Sequence, residues 1–324
     1  MRTVQVGQYG GTEVLAVADL PVPMCGPEQI LVKVLAAGVN FIDTYQRSGL
    51  YPLPTPFTLG REGSGEVVEV GANVSGIEVG ALVAWPAVQG SYAEYVTMSA
   101  ADCIVVPTEI DGNTACAAML QGMTAHYLVT SVFDVKPKDV ALVHAAAGGV
   151  GLLLCQLIAA RGGTVIGTVS TEDKATAARL AGAHHIIRYD REDVAQSVRE
   201  ITNGNGVDVV YDGVGASTFE ASLQSLTLRG LMVTFGNASG PIPPFELLRL
   251  SGLGSLSIIR PTLNDYIATH EEMQWRADEL FAGVVGGTLN FAIGGTYPLS
   301  DAARAQDDLE GRRTSGKLLL IPEH

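Results

Sequence analysis

One segment constrains this chain more than any other: Val143-His144-Ala145-Ala146-Ala147-Gly148-Gly149-Val150-Gly151. An apolar run over residues 140–144 ends in a glycine turn. The turn opens a helical stretch from about 150 to 161. Ala146, Gly148 and Gly151 give the spacing A-x-G-x-x-G, a dinucleotide-binding fingerprint with alanine in place of its first glycine. In a strand–turn–helix context Gly148 lets the backbone approach a pyrophosphate, and Gly151 lets the helix pack close to the strand. Free N–H groups around Ala147, Gly148, Gly149 and Val150 then bind phosphate oxygens. The alternative is a purely structural turn that has lost its ligand. The strand–helix units that follow favour a working site.

Those units run in sequence. Strands over 164–168, 185–188, 207–211 and 231–235 alternate with helices over 172–181, 192–202 and 217–229. Gly182, Asn203-Gly204 and Gly230 are the stops. This is the pattern of a doubly wound parallel sheet, and residues 255–259 read as its last strand. The first 120 residues are different. Short β-branched runs over 2–6, 29–36, 65–70, 81–84, 93–98 and 103–106 alternate with proline and glycine clusters, as expected of an all-β, partly open barrel. After Pro261 a helix is expected over 264–285, then a strand near 289–293, a helix over 300–309 and a strand over 317–321 that returns to the first domain. The expected division is therefore 1–122 with 262–324, and 123–261 between them.

Composition and charge narrow the partners. The 324 residues carry 20 Lys and Arg against 34 Asp and Glu, a net charge of −14 that disfavours nucleic acid. Four cysteines, at 25, 103, 116 and 155, have no metal-ligand spacing and do not form a disulfide framework. No apolar stretch is long enough for a membrane span, and residues 1–5 start no signal peptide, so a cytoplasmic location is expected. Selectivity at the adenosine end is read from the second strand. An NAD-type site wants a carboxylate about twenty residues past the turn. Here that position is Val169, beside Ser170. Ser170, Lys174 and Tyr189 instead offer a hydroxyl, a charge and a ring to a 2′-phosphate, which points to NADPH.

The glycine turn is similar to that of the medium-chain dehydrogenase/reductase superfamily. Residues 39–51 (VNFIDTYQRSGLY), 121–125 (QGMTA), 211–215 (YDGVG) and 235–237 (FGN) resemble its zinc-free, zeta-crystallin-like quinone oxidoreductase branch. The resemblance runs from the first strand to the C-terminal residues 320–322. It implies a GroES-like β-barrel domain beside a Rossmann domain, with NADPH as cofactor and a small-molecule quinone as acceptor in the cleft between them. Zinc-dependent relatives place Cys at Asn40 and Gly-His-Glu at Gly60-Arg61-Glu62, so no catalytic zinc is expected.

By the same resemblance Asn40, Tyr45 and Tyr51 line the acceptor site, with Asn40 or a tyrosine hydroxyl bonding the acceptor oxygen. Thr124 lies near the nicotinamide ribose, and Phe235, Gly236 and Asn237 face the carboxamide. Arg312 or Arg313, and Lys317, clamp the cofactor. Arg47 and Arg61 read as surface or loop-anchoring groups. His144 reads as a strand-end residue satisfying a backbone group before it reads as a general acid. Asp43 and Asp212 read as turn or network residues. Two other activities fit the same residues: reduction of enones or alkenals, and non-catalytic NADPH binding. A homodimer is expected through the edge strand at 255–259.

Overall fold

A computed structural model of the chain describes residues 1–323. The chain forms two units. One comprises Met1–Met123, Ile267–Gly287 and the chain from Phe291 onward; the other comprises Thr124–Tyr266 with Thr288–Asn290.

The second unit is a six-stranded parallel sheet. Its strands are β1 (Val140–Val143), β2 (Thr164–Val169), β3 (His185–Arg188), β4 (Val207–Asp212), β5 (Leu226–Thr234) and β6 (Ser257–Ile259). Their spatial order is 3-2-1-4-5-6, and all the pairs are parallel. This is the doubly wound arrangement, whose order reverses between β1 and β4. The strands are apolar because both faces are covered. Leu142, Ile166, Ile187, Val210 and Met232 are buried in one cluster with Phe219 and Leu223 of a covering helix.

The helices are α1 (Gly149–Ala160), α2 (Glu172–Leu180), α3 (Val194–Ile201) and α4 (Phe219–Ser225). Side-chain oxygens set two of the starts: the Thr171 hydroxyl accepts from the Lys174 N–H, and Asp193 accepts from the Gln196 N–H.

The expected helix over 217–229 is too long. The chain turns extended at Leu226 because Leu226 pairs with Val207, and a bulge with Arg229 in the left-handed region carries it into β5. The last strand is shorter than expected, since Ser255 is left-handed and pairing starts at Ser257.

The first unit is antiparallel in most of its pairs. Its larger sheet runs in the order Ile293–Pro298, Lys317–Ile321, Gln29–Val39, Glu62–Val70, Leu82–Trp85, Ile104–Val105, and Tyr95–Ser99 also pairs with Gln29–Val39. A smaller sheet joins Leu15–Asp19, Arg2–Val6 and Phe57–Thr58. Val4, Val32, Trp85, Tyr92 and Leu318 belong to one buried core fed by both sheets.

Three further expectations change. The 289–293 segment is not a strand: Leu289 and Phe291 are buried, and the strand starts at Ile293. The helix over 264–285 is two helices, Leu263–Tyr266 and His270–Val285. A capping box at Thr269 and Glu272 restarts it, each side chain accepting from the other residue's N–H. The first 120 residues are not all β either, since Phe41–Ser48 and Gly112–Ala117 are helical.

The alanine that replaces the first fingerprint glycine has a structural counterpart. A Cβ built on Gly167 of β2 would lie 2.8 Å from the Ala146 methyl. A bare glycine on the neighbouring strand makes the room that the turn gave up. Gly151 shows the expected close approach, since a Cβ there would meet the Ala145 carbonyl oxygen at 2.3 Å. Gly167→Ala is therefore expected to cost about 1–3 kcal/mol in urea unfolding, as overpacking does. Ala146→Gly in the same chain should recover most of it. Equal stability of Gly167→Ala and the parent would show that the methyl contact does not constrain the turn.

Candidate functional site

The nucleotide end is built at the carboxyl ends of β1, β2 and β3. Gly148 is the N-cap of α1, and Leu152 N–H is bonded to the Gly148 carbonyl. The N–H groups of Gly149, Val150 and Gly151 have no acceptor within the helix. They form a cradle open to phosphate oxygens, with Gly148, Gly149 and Val150 half-buried and Ala147 buried behind them.

Ser170, Lys174 and Tyr189 stand at the ends of β2 and β3 and the start of α2. Ser170 follows β2, Lys174 lies in the first turn of α2, and the Tyr189 N–H donates to the Val169 carbonyl from the end of β3. Val169 itself is 2 % exposed and apolar. The sequence reading missed Arg188. Its guanidinium donates to the Ser170 carbonyl at 3.0 Å, to both Asp190 oxygens at 2.9 Å and to Glu172 at 3.3 Å. Glu172 also accepts from Arg179. Glu172 and Asp190 are thus tied to arginines. A strand-end arginine directly before Tyr189 was the only sequence signal.

Phe235, Gly236 and Asn237 follow β5. The Phe235 N–H donates to the Asp212 carbonyl, and a Cβ on Gly236 would lie 2.2 Å from the Gly213 carbonyl. Arg260, also unread in the sequence, donates to the Gly236 carbonyl at 3.1 Å. Thr124 is nearly buried, in the helix Met123–Tyr127.

The first unit holds the remaining residues. Tyr45 is buried and Tyr51 exposed. Their rings meet edge to face at 5.4 Å, with Phe41 6.2 Å from Tyr45. Arg312 is exposed on the turn after the helix Ala302–Glu310, and Arg313 pairs with Asp308. Arg47 is buried rather than superficial. It bonds Gln306 and Glu310 and so anchors the helix Phe41–Ser48 to the C-terminal helix.

Two expectations are corrected by one buried cluster. Lys317 does not reach out as a clamp. Its ammonium is buried, ion-paired with Glu62 and bonded to the Asn40 carbonyl oxygen at 2.9 Å. Glu62 also accepts from the Leu120 N–H at 2.6 Å. Asn40 is equally committed. Its NH2 donates to the Gly38 carbonyl and to Glu62; its oxygen accepts from Lys317 and from Gln121 at 3.1 Å. Lysine only donates and a carboxylate only accepts, so the partners fix the amide orientation. All four of its positions are filled. Asn40 has no hydrogen bond left for an acceptor oxygen.

The same cluster tests a metal. Zinc sites use thiolate, imidazole and carboxylate donors. Here the set is an amide, Arg61 and a carboxylate that already carries an ammonium. Among the described residues no group of three or more His, Cys, Asp or Glu could hold an ion. The residues do not fit zinc.

Asp43 sits beside this cluster. Its Oδ2 accepts from the Asn40 N–H at 2.8 Å and the Tyr92 hydroxyl at 2.9 Å, while Oδ1 has no protein partner. Complete burial pushes its pKa from the ordinary 3.8 up to about 7, against the pull of those two bonds and of Lys317. The unfolded chain therefore ionises first, and this residue removes stability as pH rises from about 4 to about 7. Asp43→Asn keeps an acceptor for both donors and cannot ionise. In urea unfolding at pH 8 it should be more stable than the parent by on the order of 2–4 kcal/mol, at about 1.4 kcal/mol per pH unit. The gap should close towards pH 4. A gap that stays constant with pH would show that Asp43 does not titrate in this range.

Comparison with known proteins agrees with this architecture. Residues 26–108 match the alcohol dehydrogenase GroES-like domain and residues 149–281 the zinc-binding dehydrogenase family. The chain is 44 % identical over 323 residues to the quinone oxidoreductase of Pseudomonas aeruginosa, covering 99 % of both chains. It is 41 % identical over 327 residues to the 2-haloacrylate reductase of a Burkholderia species, covering 98 % of both. The Escherichia coli quinone oxidoreductase complexed with NADPH superimposes with a TM-score of 0.97 at 42 % identity, over 99 % of this chain and all of that one. The chain belongs to the quinone oxidoreductase family of the medium-chain dehydrogenase/reductase superfamily.

Proposed function

We propose that this protein is an NADPH-dependent quinone reductase that works without zinc. The observation that carries the reading is the end of β2 and β3. There Ser170 follows β2, Lys174 lies in the first turn of α2 and Tyr189 follows β3, Val169 stands where a ribose-binding carboxylate would, and Glu172 and Asp190 are held by arginines. A 2′-phosphate carries close to two negative charges, and this corner has a lysine, a serine and a tyrosine to meet it, with Glu172 and Asp190 already engaged. The open N–H groups of α1 hold the pyrophosphate, and Thr124, Phe235, Gly236 and Asn237 orient the nicotinamide end, with Arg312 as an outer contact. When bound, NADPH supplies the hydride.

A quinone is electrophilic enough to need little activation, so the chain's task is to orient the acceptor and exclude water. Tyr45 and Tyr51, whose rings meet edge to face, are the residues that do this. The 2-haloacrylate reductase relative favours a second reading, reduction of an activated alkene, which needs a proton delivered to carbon.

The reading includes a homodimer paired through the β6 edge. Leu228, Leu247 and Leu248 are about three-quarters exposed on the elements flanking that strand, an apolar surface suited to burial. All four cysteines are free, in keeping with a reducing cytoplasm. Among the described residues no helix is long and apolar enough to cross a membrane.

Steady-state oxidation of NADPH decides between the acceptors. 1,4-Benzoquinone or 1,2-naphthoquinone should turn over faster than 2-chloroacrylate. Inert quinones beside an active alkene would reverse the assignment. Lys174→Ala should weaken NADPH about ten- to a hundredfold and leave NADH nearly unchanged, the loss of one partly exposed charged hydrogen bond. Equal losses for the two cofactors would refute the phosphate contact. Leu247→Asp should give a monomer by light scattering where the parent is a dimer.

A further inference from the structure

His144 ends the strand that carries the glycine turn, and it is 4 % exposed. Its ring bonds no backbone group. Nδ1 lies 3.1 Å from the Thr168 hydroxyl of β2 and Nε2 lies 3.0 Å from the Ser222 hydroxyl of α4. Ser222 donates to Asp212 Oδ2 at 2.9 Å, and the Thr218 hydroxyl donates to the same oxygen at 2.7 Å. Asp212 Oδ1 accepts the N–H groups of Val214 and Gly215 at 2.8 and 3.0 Å. Four donors therefore saturate this carboxylate.

The direction of every proton follows from that count. Ser222 has one hydroxyl proton, and it goes to Asp212. Its oxygen must then accept from His144, so Nε2 carries the ring proton. Burial keeps the ring neutral, holding its pKa below the ordinary histidine value despite the Asp212 charge. Nδ1 is thus bare and accepts from Thr168. The line runs one way, Thr168 to His144 to Ser222 to Asp212.

This line crosses the point where the strand order reverses, between β1 and β4. Three of its members stand at or near the root of a loop, and Ser222 lies within α4. Thr168 is two residues before Ser170, His144 directly precedes the glycine turn, and Asp212 holds the loop 213–218. Backbone bonds run alongside: the Ala146 N–H donates to the Thr168 carbonyl and the His144 N–H to the Tyr211 carbonyl.

We infer that His144 is a positioning residue for the dinucleotide site. Fixed as the neutral Nε2–H tautomer, it holds the glycine turn, the Ser170 loop and the Asp212 loop in one register. The inference rests on the NADPH reading above, but its first test does not need the cofactor. In histidine 15N NMR of the intact protein, one ring should show a protonated Nε2 and a bare Nδ1. That signal should not titrate between pH 5.5 and 8.5 and should vanish in His144→Phe. A ring that titrates near the ordinary histidine value, or one protonated on Nδ1, overturns the assignment.

The second test is affinity, measured by fluorescence titration well below the melting temperature. His144→Phe keeps an aromatic ring and loses both bonds. Thr168→Val keeps its shape and loses one; Thr168→Ser keeps the hydroxyl. NADPH Kd should rise about tenfold or more in His144→Phe and several-fold in Thr168→Val, as unmet buried partners imply, and return near the parent value in Thr168→Ser. kcat at saturating NADPH should stay within about threefold, because the line acts through the loops it holds. Parent-like NADPH affinity in folded His144→Phe overturns the inference. If that variant does not fold, parent-like affinity in Thr168→Val does so. A parent protein that fails to bind NADPH refutes the cofactor reading instead, and the NMR result then decides the tautomer.

Discussion

The second unit depends on how closely α1 sits on the end of β1. A parallel strand leading into a helix leaves the first-turn N–H groups without acceptors, and those groups become useful only when the turn before them is tight. The turn is tight because Gly151 has no side chain over the Ala145 carbonyl, and because Gly167 leaves space for the Ala146 methyl. Ala145 takes a left-handed conformation at the apex, with φ of 49°. Side-chain bonds from the ring of His144 brace the same apex from below. The tight turn is thus a product of small residues and one buried polar line.

The first unit solves a different problem. It buries two acids, a lysine, an asparagine and a glutamine together, which is costly unless each is matched. The Asn40–Glu62–Lys317–Gln121 cluster is matched almost bond for bond. Gly38 makes room for it, since a Cβ there would collide with Glu62 and Lys317. The chain encloses an ammonium here, paired with Glu62. Asp43 alone is under-matched, with one oxygen unpartnered, so it bears the perturbed titration of the group.

Legibility followed the range of the interactions. The parallel sheet was readable because its strands are short apolar runs with glycine stops, and β3 and the C-terminal strand have the bounds read from the residues. Ser170, Lys174 and Tyr189, the residues proposed for a 2′-phosphate, could be placed from the sequence because they follow from strand ends. The helix Phe41–Ser48 was lost among strands, although Asn40 and Asp43 stand three apart at its start, as a cap should. The break at 267–269 hid for the same reason: a capping box inside a long periodic stretch reads as more helix.

By itself the sequence determined the class of the fold, the fingerprint turn and the preference expected at the adenosine end, because each rests on neighbours in the chain. What Asn40, Lys317 and His144 do was decided only by the tertiary structure. Asn40 and Lys317 are 277 positions apart and share one hydrogen bond. His144 meets Thr168 after 24 residues and Ser222 after 78. A polar side chain has the same letters whether its donors are spent or free. Folding settles that by bringing distant partners within three ångströms in a place that water does not reach.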